Sequence, residues 1–443
     1  MYRFIVLLFL FTILGCNDWT EDASPPVEII DPNSQMPFDS IHSTVKKICT
    51  FSDSTKELRC SCFSPDSSKL LLGSHEGVAI IFDIKSGKKL HELNGHTNPI
   101  IFVRFSPDGK FALTIGHDNV ACVWNVDNGS LLYSLNVDNF LDDSAVIFSP
   151  DSKFLLNTID NNKAGIVTIC DIKNGKTIRE LKGHKQPLTS VCLSSDGKKI
   201  MTGSFDKTVR IWDVATGREL YQFVVDEYQS ILASFSPNDK LSLVQGGLHS
   251  KNINIWDLNS EKHLYKLAGH WFNDFDYGME RAYFSHDSKK VLTIIRPIMS
   301  ARIWDMENGK TKQILDDTTI SLTHCSFSPD DKYVLLVGRY EIMLWEVETG
   351  KITTILNDVK YKRLMRSGAY FSNDGNLIAS SNEDNVVRIW DTVSGKKLFT
   401  ARTQDTLVKV YFSPDNNFLL ARCINSAVIW DISQVRKEIT KKE

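Results

Sequence analysis

The chain has 443 residues, 42% of them hydrophobic and 24% charged, and a formal net charge of −3. That composition suits a globular body and excludes a disordered or collagen-like chain. There is no cationic excess to neutralise phosphates, so no nucleic-acid partner is expected.

The N-terminus reads separately from the rest. Arg3 precedes an apolar run over 4–14, followed by Gly15 and Cys16. A positive residue, a short apolar core and a small residue before a break describe a secretory signal. The run is too short for a comfortable membrane span. Ile13-Leu14-Gly15-Cys16 resembles the lipobox of bacterial lipoproteins. That resemblance implies that Cys16 becomes the lipidated first residue and anchors an extracytoplasmic protein to a membrane. Plain secretion is the alternative. Residues 17–40 carry four prolines and several acids without a period. They are expected to be a tether, reaching roughly 80 Å when extended.

Residues 45–51 (VKKICTF) look like an outer strand without its partners, comparable to KKLHEL at 88–93 and KKLFT at 396–400. A longer unit then begins to recur, seen clearly at 183–213. Strands are expected at 188–193, 199–202 and 208–212, with turns at Ser195-Asp196-Gly197 and Phe205-Asp206-Lys207. The turn mark occurs nine times: Phe63-Ser-Pro-Asp, Phe105-Ser-Pro-Asp, Phe148-Ser-Pro-Asp, Leu193-Ser-Ser-Asp, Phe235-Ser-Pro-Asn, Phe284-Ser-His-Asp, Phe327-Ser-Pro-Asp, Phe371-Ser-Asn-Asp and Phe412-Ser-Pro-Asp. A closing mark, usually Trp-Asp, alternates with it from Phe82-Asp83 to Trp430-Asp431. Successive turn marks lie 41 to 49 residues apart.

That period, with its Gly-His and Trp-Asp signatures, resembles the WD40 repeat of β-propellers. The resemblance implies an all-β propeller of four-stranded blades. The marks count nine; seven and eight, the usual numbers in the family, are the alternatives. Such a ring needs a closing strand for its last blade. Residues 45–51 are the favoured candidate, and the tail at 434–440, which reads as frayed, is the competing one. The expected organisation is a signal at 1–15, a tether at 16–40 and the propeller at 41–443.

The resemblance also implies a structural polar network in two blades, His96, Thr114, Asp118 and Trp124 in one and His184, Thr202, Asp206 and Trp212 in the other. Ser380, Asp384 and Trp390 stand in a third blade without a histidine, and after the Gly-His at His270 the loop aspartate is replaced by Arg296-Pro297. Cys60, Cys62, Cys192 and Cys325 precede turn marks and read as small buried hydrophobes. No CxxC, HExxH, GxxxxGK[ST] or strand-borne GxGxxG is present. No catalytic residue, cofactor or metal is therefore expected. The inner strands end in Phe-Ser with little charge, which offers nothing to a channel enzyme.

Recognition is the function left. The loop at 271–283 (WFNDFDYGMERAY) interleaves Trp271, Phe272, Phe275 and Tyr277 with acids, an interface composition. Lys360, Lys362, Arg363 and Arg366 form a basic cluster expected on the same face. The expected function is a non-catalytic scaffold that binds a protein or peptide. The alternatives are a propeller enzyme with a channel active site and a eukaryotic-type intracellular scaffold.

Overall fold

Ser-Pro-Asp folds into a turn because its own side chains complete it. In the first turn, Ser64 Oγ donates to Asp66 Oδ1 (2.6 Å) and accepts Lys69 N–H (2.8 Å), closing the hairpin across the proline. The same serine and its Asp or Asn partner recur in all nine turns. Each strand before the turn therefore ends at the aromatic or leucine of the mark.

The computed structural model describes residues 45–52, 57–137, 146–161, 164–225, 231–246, 252–268, 281–295, 299–317, 322–338, 341–356, 368–382 and 384–440. Val45–Glu443 is one structural unit; Met1–Thr44 is a second and lies outside the described residues, with both expected boundaries. The described strands, β1–β36 in chain order, form nine four-stranded antiparallel sheets, so the fold is a nine-bladed propeller. The strands expected at 188–193, 199–202 and 208–212 are Leu188–Leu193, Lys199–Ser204 and Thr208–Asp213.

Within a blade the four strands differ in burial. The first runs closest to the first strand of the next blade, as with β2 (Leu58–Phe63) and β6 (Ile100–Phe105), and so lines the centre. The last, such as Lys89–Asn94, is mostly exposed and forms the rim. Apolar faces meet between blades: Leu71, Ala79, Ile81 and Leu93 of blade one pack on Ile100, Val103, Phe105 and Trp124 of blade two. Each such side chain contributes about 1.5–3 kcal/mol by leaving water.

Two belts of hydrogen bonds run from blade to blade. In the outer one a rim side chain reaches the turn after the next closing mark. Tyr133 Oη donates to Ile172 O (2.8 Å) and Tyr265 Oη to Glu307 O (2.9 Å). Gly175, at φ 69°, lies so close beneath Tyr133 that an added Cβ would come within 2.5 Å of the ring.

The inner belt depends on the residue four positions after the start of each turn mark. All nine have positive φ, between 55° and 75°: Ser67, Gly109, Ser152, Gly197, Asp239, Ser288, Asp331, Gly375 and Asn416. Their identity follows the previous blade's turn. Where that turn has proline, one N–H is missing, and the residue is Ser or Gly. Ser152 Oγ accepts Asp108 N–H (3.0 Å), and Ser288 Oγ accepts Asn238 N–H (3.1 Å). Where Ser195, His286 or Asn373 replaces the proline, the partner is Asp or Asn. Asp331 accepts both His286 N–H (2.9 Å) and Asp287 N–H (2.7 Å). A non-glycine residue at positive φ costs on the order of 1 kcal/mol, which these bonds offset. Asp331→Ala is thus expected to lose about 2 kcal/mol. Asp331→Gly should lose less, because the strain goes with the bond. Urea unfolding of the two variants checks the order.

The ring closes as expected from the N-terminal side. β1 (Lys46–Ser52) pairs antiparallel with β36 (Ser426–Asp431), Phe51 opposite Ala427. Ser67 Oγ accepts Asp415 N–H (3.1 Å), repeating the inner-belt bond found elsewhere, and Leu58 N–H adds a bond to Ile424 O (2.6 Å). The tail is not frayed. It forms helix α1 (Ser433–Thr440), with Val435 buried in the core of blades eight and nine. Arg436 clasps Asp374 Oδ2 (2.8 Å), Asp415 O (2.9 Å) and Asn417 Oδ1 (3.1 Å). The tail holds two turns together from outside the sheet.

Candidate functional site

The expected contact residues Trp271, Phe272, Phe275 and Tyr277, the basic residues Lys360, Lys362, Arg363 and Arg366, and the lipidation candidate Cys16 all lie outside the described residues. So do His270 and Arg296-Pro297.

The two polar networks form. His184 Nδ1 is 2.9 Å from Asp206 Oδ2 and Nε2 is 2.7 Å from Thr202 Oγ1; Trp212 Nε1 donates to the same hydroxyl at 2.9 Å. In the other blade the distances are 3.1 Å for His96 Nδ1 to Asp118 Oδ1, 2.7 Å for His96 Nε2 to Thr114 Oγ1 and 2.9 Å for Trp124 Nε1 to Thr114 Oγ1. With Nδ1–H facing the carboxylate, Nε2 accepts from the threonine hydroxyl, which accepts from the indole. The arrangement superficially matches a nucleophile, base and carboxylate. Thr202 is fully buried, however, and its oxygen is already shared by ring and indole, so no substrate meets it.

Burial pushes the His184 imidazole below its ordinary value against the pull of the Asp206 carboxylate, so it is neutral. Burial would raise Asp206, but donors from Thr208, Lys185 N–H and His184 outweigh it and hold the carboxyl low. Below the unfolded value of 6.5, the unfolded chain takes a proton that the folded His184 refuses. Stability should therefore fall as pH drops through that value and level off beneath the lower folded one. Comparing unfolding midpoints of the wild type and His184→Gln between about pH 8 and 5 isolates the slope. Equal slopes would count against a neutral buried histidine.

Blade eight solves the missing histidine differently. Trp390 Nε1 still donates to Ser380 Oγ (2.9 Å), but Asp384 is met by Arg388, both of them buried. In blades five and seven Val244 and Leu336 stand where the hydroxyl would be, and the Trp256 and Trp345 indole N–H groups find no acceptor. Trp256 stacks on Phe223 instead, with ring centroids 4.3 Å apart.

The inner strands carry little charge, as expected, and what they carry is basic. Besides β2 and β6 these are Val146–Phe148, Leu188–Leu193, Ile231–Phe235, Arg281–Phe284, Leu322–Phe327, Ala369–Phe371 and Leu407–Phe412. They contain Arg59, Arg104, Arg281 and Lys409 and no Asp or Glu. Arg59 is paired with Glu57, the residue before its strand, at 3.2 Å, and no carboxylate pair for acid–base work exists on these strands. Among the described residues no group of three or more His, Cys, Asp and Glu could hold a metal, and no helix is long and apolar enough to cross a membrane.

The family model for the WD domain, G-beta repeat, matches residues 87–125, 175–213 and 365–391. The chain carries WD40 repeats. The matched repeats fall on blades two, four and eight. The chain is 24% identical over 302 residues to the WD repeat-containing protein 26 homolog of Arabidopsis thaliana, covering 67% of this chain and 49% of that protein. It is 23% identical over 314 residues to the small ribosomal subunit protein RACK1y of Oryza sativa subsp. japonica, covering 58% of this chain and 90% of that one. The chain spans half or less of the length of several WD-repeat relatives, as little as 20% for the DENN domain and WD repeat-containing protein SCD1 of Arabidopsis thaliana. Two solved structures share the fold. The eukaryotic initiation factor crystal structure matches at TM-score 0.62 and 18% identity, covering 80% of this chain and 90% of that one. The C-terminal WD40 domain of Sif2 matches at TM-score 0.55 and 16% identity, covering 88% and 98%.

Proposed function

We propose that this WD40 propeller is a non-catalytic scaffold, anchored to a bacterial membrane through lipid on Cys16 and binding a protein or peptide on the extracytoplasmic side. The carrying observation is that its Ser, Thr, His and Asp sets are consumed by turns and blade networks, as with Thr202, His184 and Asp206. What such a closed frame presents to a partner is loops on a rigid support. The segment at 16–40 acts as tether, and Trp271, Phe272, Phe275 and Tyr277 are the contact residues, with Lys362 and Arg363 as further contact candidates.

Two measurements test the reading. Metabolic labelling with a palmitate analogue should mark the wild type and not Cys16→Ser; processing without label would mean plain secretion. Trp271→Ala with Phe275→Ala should abolish partner cross-linking on isolated membranes while leaving the melting temperature nearly unchanged. A large drop in melting temperature would make those rings part of the core.

A further inference from the structure

The few charged residues on the inner strands are all basic. The protein as a whole is slightly acidic, at −3, yet its nine inner strands hold four Lys or Arg and no carboxylate. Low-dielectric walls of one sign focus their field on the space they enclose.

One of these cations stands among aromatic rings at blade nine. Lys409 Nζ lies 5.0 Å from the Tyr411 ring centroid and 5.5 Å from that of Tyr370. The two rings stack with centroids 6.2 Å apart, and His324 extends the aromatic surface at 5.4 Å from Tyr370. Among the described residues no carboxylate pairs with Lys409. Opposite it in register on the next strand stands Arg422, 9% exposed, so both side chains project from one face of the blade. Arg422 Nη1 donates to Leu58 O at 2.9 Å, whereas its Nε is buried without an acceptor. Burial works against the Lys409 ammonium, but Tyr411 and Tyr370 hold it above its ordinary value, so the charge persists.

Two largely buried cations with no counter-charge among the described residues are costly unless something pairs them. The donors on offer are one ammonium, one guanidinium nitrogen and two phenols, flanked by aromatic faces. A cation would be repelled. With Nη1 held by Leu58 O, Arg422 does not present the free paired N–H fork that favours a phosphate. A carboxylate fits: one negative charge, two oxygens to share among these donors and an aliphatic stem to lie against the rings.

We propose that the inner wall at blade nine is a carboxylate-binding site built from Lys409, Tyr411 and Arg422 together with Tyr370 of blade eight. It goes beyond the scaffold reading, because a free carboxylic acid and an acidic side chain of a bound peptide present the same group.

The test is calorimetric titration of the full chain with succinate and with a tetraglutamate peptide, against sodium chloride at matched ionic strength. Wild type should give saturable binding of at least one probe. Succinate alone assigns the site to a free acid and the peptide alone to a partner's side chain. Lys409→Met should weaken binding at least about tenfold, the loss expected for a hydrogen bond to a charged group. Without probe it should melt no lower than wild type, because an unpaired buried cation has been removed. Tyr411→Phe keeps the ring and should weaken binding several-fold, which tests the site should the methionine variant not fold. No saturable binding by folded wild type would overturn the assignment. So would equal binding by Lys409→Met, or by Tyr411→Phe where that variant stands alone.

Discussion

Phe51→Ala is expected to cost about 3–5 kcal/mol, the loss for emptying a buried phenylalanine site. The ring of Phe51 is 6% exposed and sits 4.2 Å from that of Phe82. It belongs to the cluster in which Leu58, Leu70, Leu72 and Ile84 of blade one meet Leu420, Ala427 and Ile429 of blade nine. No other strand can take over, because β1 alone covers the edge of β36. An uncovered edge strand templates association with another chain. The variant should therefore show both a lower urea midpoint and a concentration-dependent shift to larger species on size exclusion. A loss under about 1 kcal/mol would mean that the seam is held chiefly by its hydrogen bonds.

Arg388→Ala should be as damaging, about 3–5 kcal/mol, by stranding a buried charge. The Asp384 side chain is only 1% exposed and that of Arg388 4%. Nη1 and Nη2 each reach a carboxylate oxygen, a fork that lysine cannot reproduce, so Arg388→Lys should recover only part of the loss. Once the arginine is gone, Asp384 keeps, among the described residues, the Val386 N–H at 2.9 Å. Asp384→Asn added to Arg388→Ala should regain most of the stability, since the stranded charge disappears. Thermal melts of the four proteins give the comparison. A double variant as unstable as Arg388→Ala would point to lost packing as the cause.

Much of this architecture is local and so could be read from the chain. Ser-Pro-Asp makes its own turn, Trp-Asp ends its own strand, and VKKICTF imitates the rim strands closely enough to identify the closing piece. The tail was misread because its anchor is remote: Arg436 reaches Asp374, 62 positions back in the chain. Arg388 escaped notice because in blade four the matching Arg210 turns to Glu219 while a histidine serves the aspartate. Only the absence of that histidine frees the arginine to turn inward. The wall charge was hidden by alternation. Lys409 and Arg104 are isolated residues in their own strands, and only ring closure gathers them around one axis. The contact loops were identified by composition alone, which says nothing about how their side chains are arranged.

The pairing of Ser195, His286 or Asn373 with Asp or Asn makes blades four, six and eight chemically addressed to the blades that follow them. None of these could be excised or shuffled alone without leaving a mismatched donor or a vacant acceptor at the new junction. Blades one to three keep a proline turn before a Ser or Gly and stay interchangeable in this respect, whereas a loss among the later blades must bring its neighbour's turn along with it.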